Sequence, residues 1–199
     1  QAVRYMFQGC SGIEDLSGIT IGDGVSVCYA EWMFKDCTGL KKAPVLNGGA
    51  NSDYSNMFQG CTSLEGIAPY KDNPTYSGVR CKEMYRGCTG LTDLSDVSLG
   101  GALVDYCYKG MFYDCSNLVN GPILTSPTLS QYSYCEMFYG CKKLKSLTVL
   151  ATNISAYNCL YNWLSSASSI GVLHRPASMA GKYPTGVSGL PSGWTEIDY

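Results

Sequence analysis

The 199-residue chain has a single histidine, no Cys-x-x-Cys pair, no stretch of 18 consecutive apolar residues and no run of like charges. Each absence closes off some chemistry. One imidazole, at His174, leaves little material for multi-histidine metal sites, and any histidine-based triad or general base would have to use that residue. Without closely paired cysteines a zinc site has nothing local to start from. No segment reads as a membrane-spanning helix. Only 15% of residues are charged, 14 Lys+Arg against 16 Asp+Glu. That balance does not suit a surface that must neutralise a dense line of phosphates, so nucleic acid is not an expected partner. The chain opens Gln1-Ala2-Val3-Arg4, without an initiator methionine or a signal-peptide pattern, and reads as soluble and as cropped or processed. No cofactor and no catalytic set are expected.

Eleven cysteines, 16 tyrosines and 23 glycines are the abundant features. Their positions repeat. The pentapeptide Met6-Phe7-Gln8-Gly9-Cys10 recurs at Met33-Phe34-Lys35-Asp36-Cys37, Met57-Phe58-Gln59-Gly60-Cys61, Met84-Tyr85-Arg86-Gly87-Cys88, Met111-Phe112-Tyr113-Asp114-Cys115 and Met137-Phe138-Tyr139-Gly140-Cys141. Cysteine-to-cysteine steps are 27, 24, 27, 27 and 26 residues. A unit this short cannot bury its apolar face alone and must stack on its neighbours, which is the signature of a solenoid.

Three residues after each cysteine stands an apolar anchor: Ile13, Leu40, Leu64, Leu91, Leu118 and Leu144. Three further along come Leu16, Ala43, Ile67, Leu94, Gly121 and Leu147, and after three more Ile19, Leu46, Tyr70, Val97, Leu124 and Leu150. This part of the unit suits a short strand, least regular where Pro44, Pro69 and Pro122 fall. Upstream of the Met-Phe pair the spacing predicts a helix of about two turns: Cys107, Met111 and Cys115 lie at i, i+4 and i+8, with Tyr108 and Phe112 beside them. The residue before each cysteine is always Gly or Asp, which fits a left-handed position closing that helix. The expected fold is therefore α/β: a leucine-rich-repeat-like curved solenoid with one short helix and one short strand per coil of about 24–27 residues. Residues 1–164 form the array, six coils plus a degenerate seventh in which Trp163-Leu164 takes the Met-Phe place. Residues 165–199 form a C-terminal cap that folds back over the last coil with Trp163, Ile170, Leu173 and Trp194.

The Met-Phe-x-Gly-Cys-Thr-x-Leu units resemble BspA-like leucine-rich repeats of Bacteroidetes and related bacteria, and similar units recur in mycoplasma surface proteins. The resemblance covers roughly residues 1–165, and Gly189-Leu190-Pro191-Ser192-Gly193-Trp194-Thr195 is similar to the segment that closes such arrays. It implies a secreted or surface-displayed solenoid used for adhesion to host or bacterial partners, with no catalytic residues to carry over. Tyr85 in place of Phe and the shorter second interval are mild departures. Because Gln1 stands five residues before Met6, the first coil lacks most of its upstream half, and the N-terminal cap is expected outside this chain.

Six cysteines fill the repeat slot; Cys28, Cys81, Cys107, Cys135 and Cys159 precede the Met-Phe slot or its equivalent by two to five residues. On the helical reading Cys107 and Cys115 are about 12 Å apart, too far for a bridge. The favoured reading is buried free thiols acting as small hydrophobes, with bridges between coils or a metal as alternatives. Trp194 with Tyr183 is an alternative aromatic site, His174 beside Arg175 is more simply a solvated residue, and Asn153-Ile154-Ser155 is a glycosylation sequon that depends on its host.

Solenoids bind through columns of variable side chains held in register. The candidate column precedes the Gly/Asp slot: Gln8, Lys35, Gln59, Arg86, Tyr113 and Tyr139. Tyr106, Tyr108, Tyr132, Tyr134, Tyr157 and Tyr161 enrich the same end of the array. Tyrosine offers a broad apolar plate with a polar tip and suits protein or glycan contacts, although packing between coils also accounts for many of these rings. The expected function is adhesion or binding to a protein or glycan on a host or bacterial surface, at an extracellular location. A structural spacer or a receptor-binding component of a surface layer or phage virion is the alternative. A glycan-acting enzyme using Asp105 and Asp114 is less favoured, since their spacing is not diagnostic.

Overall fold

The computed structural model describes residues 2–71 and 76–199; Gln1, where the first coil opens, lies outside them. The chain winds into a parallel β-solenoid of about seven turns, each with a strand side and a turn side. On the strand side, β1 (Thr20–Ile21) pairs in parallel with β2 (Val45–Leu46). β3 (Ser98–Leu99), β4 (Asn120–Leu124), β5 (Ser146–Val149), β6 (Ile170–Arg175) and β7 (Gly193–Asp198) form a five-stranded parallel sheet in chain order. Between the two sheets the third coil contributes a single bridge, Leu46 to Tyr70. Of the proline-bearing copies, β4, with Pro122, shifts register against β5 between Asn120 and Ile123, whereas β2, directly after Pro44, pairs with β1 without a shift.

The inward column of the strand side runs Ile21 and Leu46 in the first sheet, Tyr70 at the bridge, and Leu99, Leu124 and Val149 in the second sheet. The fixed offset read from sequence found Leu46, Tyr70 and Leu124 but named Ile19, Val97 and Leu150 in place of Ile21, Leu99 and Val149. Coil length varies by up to three residues, and the strands absorb the difference.

The expected helix per coil is not formed: among the described residues there is no α-helix. The segment before each repeat cysteine is instead a series of four-residue turns. In the fifth coil Tyr106, Gly110 and Asp114 have φ of 61°, 60° and 57°; the sixth repeats this at Tyr132, Glu136 and Gly140, and the seventh at Asn158, Asn162 and Ser166. A left-handed residue at every fourth position ends each right-handed turn before an i→i−4 bond can close. Alternate amides close i→i−3 turns, as Lys109 to Tyr106 at 3.1 Å and Tyr113 to Gly110 at 3.0 Å. The amides between them leave the coil: those of Gly110, Phe112 and Asp114 donate to the carbonyls of Cys135, Met137 and Tyr139 at 2.8, 2.9 and 2.8 Å. Four-residue turns and helices place i, i+4 residues on one face alike, so the apolar spacing could not separate them.

The Gly/Asp slot is left-handed in all six copies, from Asp114 at 57° to Gly60 at 76°. Where it holds Asp, the next copy holds Gly for a second reason. A Cβ on Gly60 or Gly140 would collide with the carboxylate of Asp36 or Asp114, which lies over it.

Beneath the turns, Met, Phe, Cys and Leu of each unit form the core from the second coil onward. Phe7, Phe34, Phe58, Tyr85, Phe112 and Phe138 make one continuous stack, with neighbouring centroids 5.4–5.7 Å apart and planes within 11°. Each repeat thiol from the second coil onward donates to the carbonyl of the aromatic residue one coil back: Cys37 to Phe7 at 3.0 Å, then Cys61 to Phe34, Cys88 to Phe58, Cys115 to Tyr85 and Cys141 to Phe112 at 3.1 Å. Past the seventh coil, Tyr183 packs on Trp163 with centroids 6.2 Å apart, and the Trp194 indole lies against Gly171 and donates to the Ser168 carbonyl at 2.8 Å.

Candidate functional site

The turn ladder fixes the backbone of the sequence-derived column. Each residue of the column from Lys35 onward accepts, through its carbonyl, the amide of the preceding coil's Gly/Asp slot, at 2.7–2.8 Å. Gln8, Lys35, Gln59, Arg86, Tyr113 and Tyr139 therefore stand one per coil along one line. Their side chains do not all meet. Gln59 accepts a 3.3 Å bond from Asn56 within its own turn. Arg86, Tyr113 and Tyr139 form a run: the Arg86 guanidinium sits 4.4 Å from the Tyr113 ring centroid, and the Tyr113 and Tyr139 rings stack at 4.6 Å and 13°.

Charges lock this run in place. Arg86 also pairs with Glu83 at 2.8 Å, and that hydrogen bond raises its already high pKa. Burial raises the Tyr113 phenol, and the neighbouring Tyr139 and Asp114 add to it, so it stays a neutral donor at physiological pH. Lys109 bridges to Glu136 at 3.4 Å; burial alone would lower the ammonium, but Glu136, Cys135 and Glu83 together outweigh it and the net shift is upward.

A second aromatic row occupies the first turn of the same segment. Tyr106 and Tyr132 stack at 4.8 Å and 10°, Tyr157 meets Tyr132 edge-on at 5.5 Å, and the Asn158 amide donates to the Tyr132 hydroxyl at 3.1 Å. Tyr106, Tyr157 and Tyr161 are exposed; Tyr108 and Tyr134, named with them from sequence, are fully buried in the core. Sequence reasoning did not single out a third aromatic group, Tyr5 stacked on Trp32 at 5.1 Å and 3°. Both stand five residues before a repeat cysteine, so the same column logic at another offset would have found them.

The remaining candidates go elsewhere. Tyr183 and Trp194 are buried in packing against the last coils, not open to a ligand. His174 lies in β6 between Thr148 and Ile197, while Arg175 is buried and pairs with Glu196 at 2.8 Å and with Asp198. Asp105 accepts the Gln131 amide at 3.2 Å, and Asp114 is the turn residue over Gly140. Asn153 accepts both the amide and the hydroxyl of Ser155, at 3.1 and 2.8 Å. Three overlapping aromatic groups on a rigid ladder, flanked by paired charges, can present ring edges and hydroxyls to a partner surface. Their faces are largely spent on one another.

A family model described as a BspA type leucine rich repeat region matches the chain in six copies, over residues 3–94 and 79–168. No curated protein and no solved structure matches it.

Proposed function

From the premise that this chain belongs to the BspA-type leucine-rich repeat family, we propose that it is a secreted or cell-surface adhesion module recognising a protein or glycan on a host or bacterial surface. The observation that carries this reading is the Arg86–Tyr113–Tyr139 stack beside the Tyr106–Tyr132–Tyr157 row. Tyrosine and arginine deliver contact energy at little entropic cost once they are immobilised, and here the ladder immobilises them before any partner arrives. The column's upstream members, Gln8, Lys35 and Gln59, would extend the contact as a polar rim. Residues 165–199 act in this reading as the cap that ends the 1–164 array, supported by the packing of Tyr183 on Trp163. A spacer role is the second reading, favoured by the unbroken aromatic stack from Phe7 to Phe138.

The test is binding of the labelled chain to panels of bacterial cells, epithelial cells and immobilised glycans. The Tyr113→Ala/Tyr139→Ala double variant is expected to lose at least tenfold in affinity on whichever surface the native chain binds, with thermal unfolding confirming that the variant is folded. Undiminished binding by that variant, or no binding on any panel, would overturn the reading.

A further inference from the structure

The turn ladder has a direction. At every junction from the first coil to the seventh, three amides of one coil donate to three carbonyls of the next. They belong to the Gly/Asp slot and to the residues two and four positions before it. The central and last bonds of each junction measure 2.7–2.9 Å: Phe7 to Met33 and Gly9 to Lys35 at the start, Phe138 to Trp163 and Gly140 to Ser165 at the end. The seventh coil has the same three donors, the amides of Asn162, Leu164 and Ser166. Only the first is served: Asn162 donates to the Val187 carbonyl at 2.9 Å, where an eighth coil's carbonyl would stand. Among the described residues nothing accepts from Leu164 or Ser166.

A cleft of about 270 Å³ opens beside those two amides, lined by Ser165, Ser166, Ser169, Gly186, Gly189 and Pro191 among others. Its volume is worth roughly nine waters of bulk liquid. The tail that covers Trp163 and supplies Val187 leaves this part of the last coil open.

We infer that this cleft is a binding site for an extended peptide, which offers two backbone carbonyls two residues apart to the Leu164 and Ser166 amides and so completes the junction that the tail leaves unfinished. The occupant is defined by chemistry on both sides. Six preceding junctions show that this donor pair is met by carbonyls at i and i+2 of one segment, a separation a single carboxylate does not span. The walls, Leu164, Ala167 and the Ser, Gly and Pro residues, carry no charged side chain, which suits an uncharged stretch of peptide. This is strand addition carried out on a turn ladder instead of a sheet edge. It uses neither the tyrosine rows nor the column, and stands or falls apart from them.

The experiment is a titration of the ¹⁵N-labelled chain with acetyl-Gly-Ala-Gly-Ala-Gly-amide, read by amide chemical shifts. The Leu164 and Ser166 resonances are expected to move downfield saturably while Asn162, already bonded, stays in place. Ser169→Trp, which fills the cleft from an exposed position, should weaken the response at least tenfold; Ser169→Leu serves if the tryptophan disturbs the spectrum at large, and Thr62→Trp on a distant coil should change nothing. Silence of the two amides, or an equal response in both Ser169 variants, overturns the proposal. So does the same shift pattern from sodium acetate, which would mark a small-anion site. Shifts that follow protein concentration without peptide would make a second copy of this chain the occupant and overturn it as well.

Discussion

Sulfur and glycine carry the most specific demands in the repeat. The thiols of Cys37, Cys61, Cys88, Cys115 and Cys141 fill a core slot and at the same time satisfy a carbonyl of the preceding coil, a dual role of a small, weakly donating side chain. Ten of the eleven cysteines are buried; Cys10, in the first coil, is half-buried. Thiolates and not thiols react, and both burial and raised pKa keep the ten protonated and shielded. Iodoacetamide at pH 8 is therefore expected to modify Cys10 alone in the native chain and all eleven after guanidinium unfolding, as counted by intact mass; native labelling of Cys88 or Cys115 would contradict the packing. Glycine is tested at the left-handed slot. Gly87→Ala makes only an ordinary contact, 4.0 Å to the Gly60 backbone nitrogen, and should cost little beyond the left-handed backbone penalty of roughly 1–2 kcal/mol. Gly140→Ala pays the same penalty and also displaces the Asp114 carboxylate, so it should cost more by denaturant titration. That excess should vanish in an Asp114→Gly background, because the two residues couple through direct contact.

Among the elements, the tandem turns are the unusual one. Their cohesion comes from amides shared between coils and from a core crowded with phenols and thiols that must remain neutral. Burial is the leading cause of the upward shift at each core cysteine: Cys61, Cys107 and Cys115 are pushed to about 12 and Cys135 to about 11. An unfolded thiol ionises near 8.5. Between that value and about 12 the folded state holds protons the unfolded state has lost, so stability is complete below about pH 8.5 and falls as pH rises. The guanidinium midpoint is expected to drop between pH 7 and pH 10 by more than in a chain with exposed thiols, and an unchanged midpoint would show that the core ionises freely. The strands contribute less that is particular to this chain. Their short length in the first coils and greater length from β4 onward give the C-terminal half the more continuous sheet.

For the molecule as a whole, stacking settles the core and leaves two ends to be managed. At the C-terminal end Arg175, itself buried, pairs with Glu196 and Asp198, placing carboxylates on the last strand of the sheet, a device that discourages further strand pairing. Trp194 seals the same end against Gly171, where even a methyl group would press into the indole ring. Trp194→Ala is expected to cost about 3–5 kcal/mol, as for other large buried aromatics, and to lower the melting temperature cooperatively by calorimetry. A loss confined to the tail, with the array melting unchanged, would mean that the tail does not support the coils. At the other end Tyr5, Met6 and Phe7 are exposed although the equivalent residues of later coils are mostly buried. The carbonyls of Arg4, Met6 and Gln8, whose counterparts accept bonds at every later junction, receive none among the described residues.

The sequence by itself determined the stacking. Six copies of Met-Phe-x-Gly/Asp-Cys fix which residues face the core, where the backbone turns left-handed and which side chains form a line, because a repeat this short has no way to hide its apolar face except on its own neighbour. It also named Arg86, Tyr113 and Tyr139 as members of one column. Only the tertiary structure decided that the helical periodicity belongs to turns, since the bonds that choose between the two run to the next coil and leave no mark on the local pattern. It likewise separated Tyr108 and Tyr134, buried, from Tyr106, exposed, and Tyr132, half-buried: two positions along a turn reverse a side chain's direction, and composition does not record that. The amides of Leu164 and Ser166, without an acceptor among the described residues, were beyond any reading of residue types, because every backbone has the same donors and only the arrangement of neighbours tells which are left over.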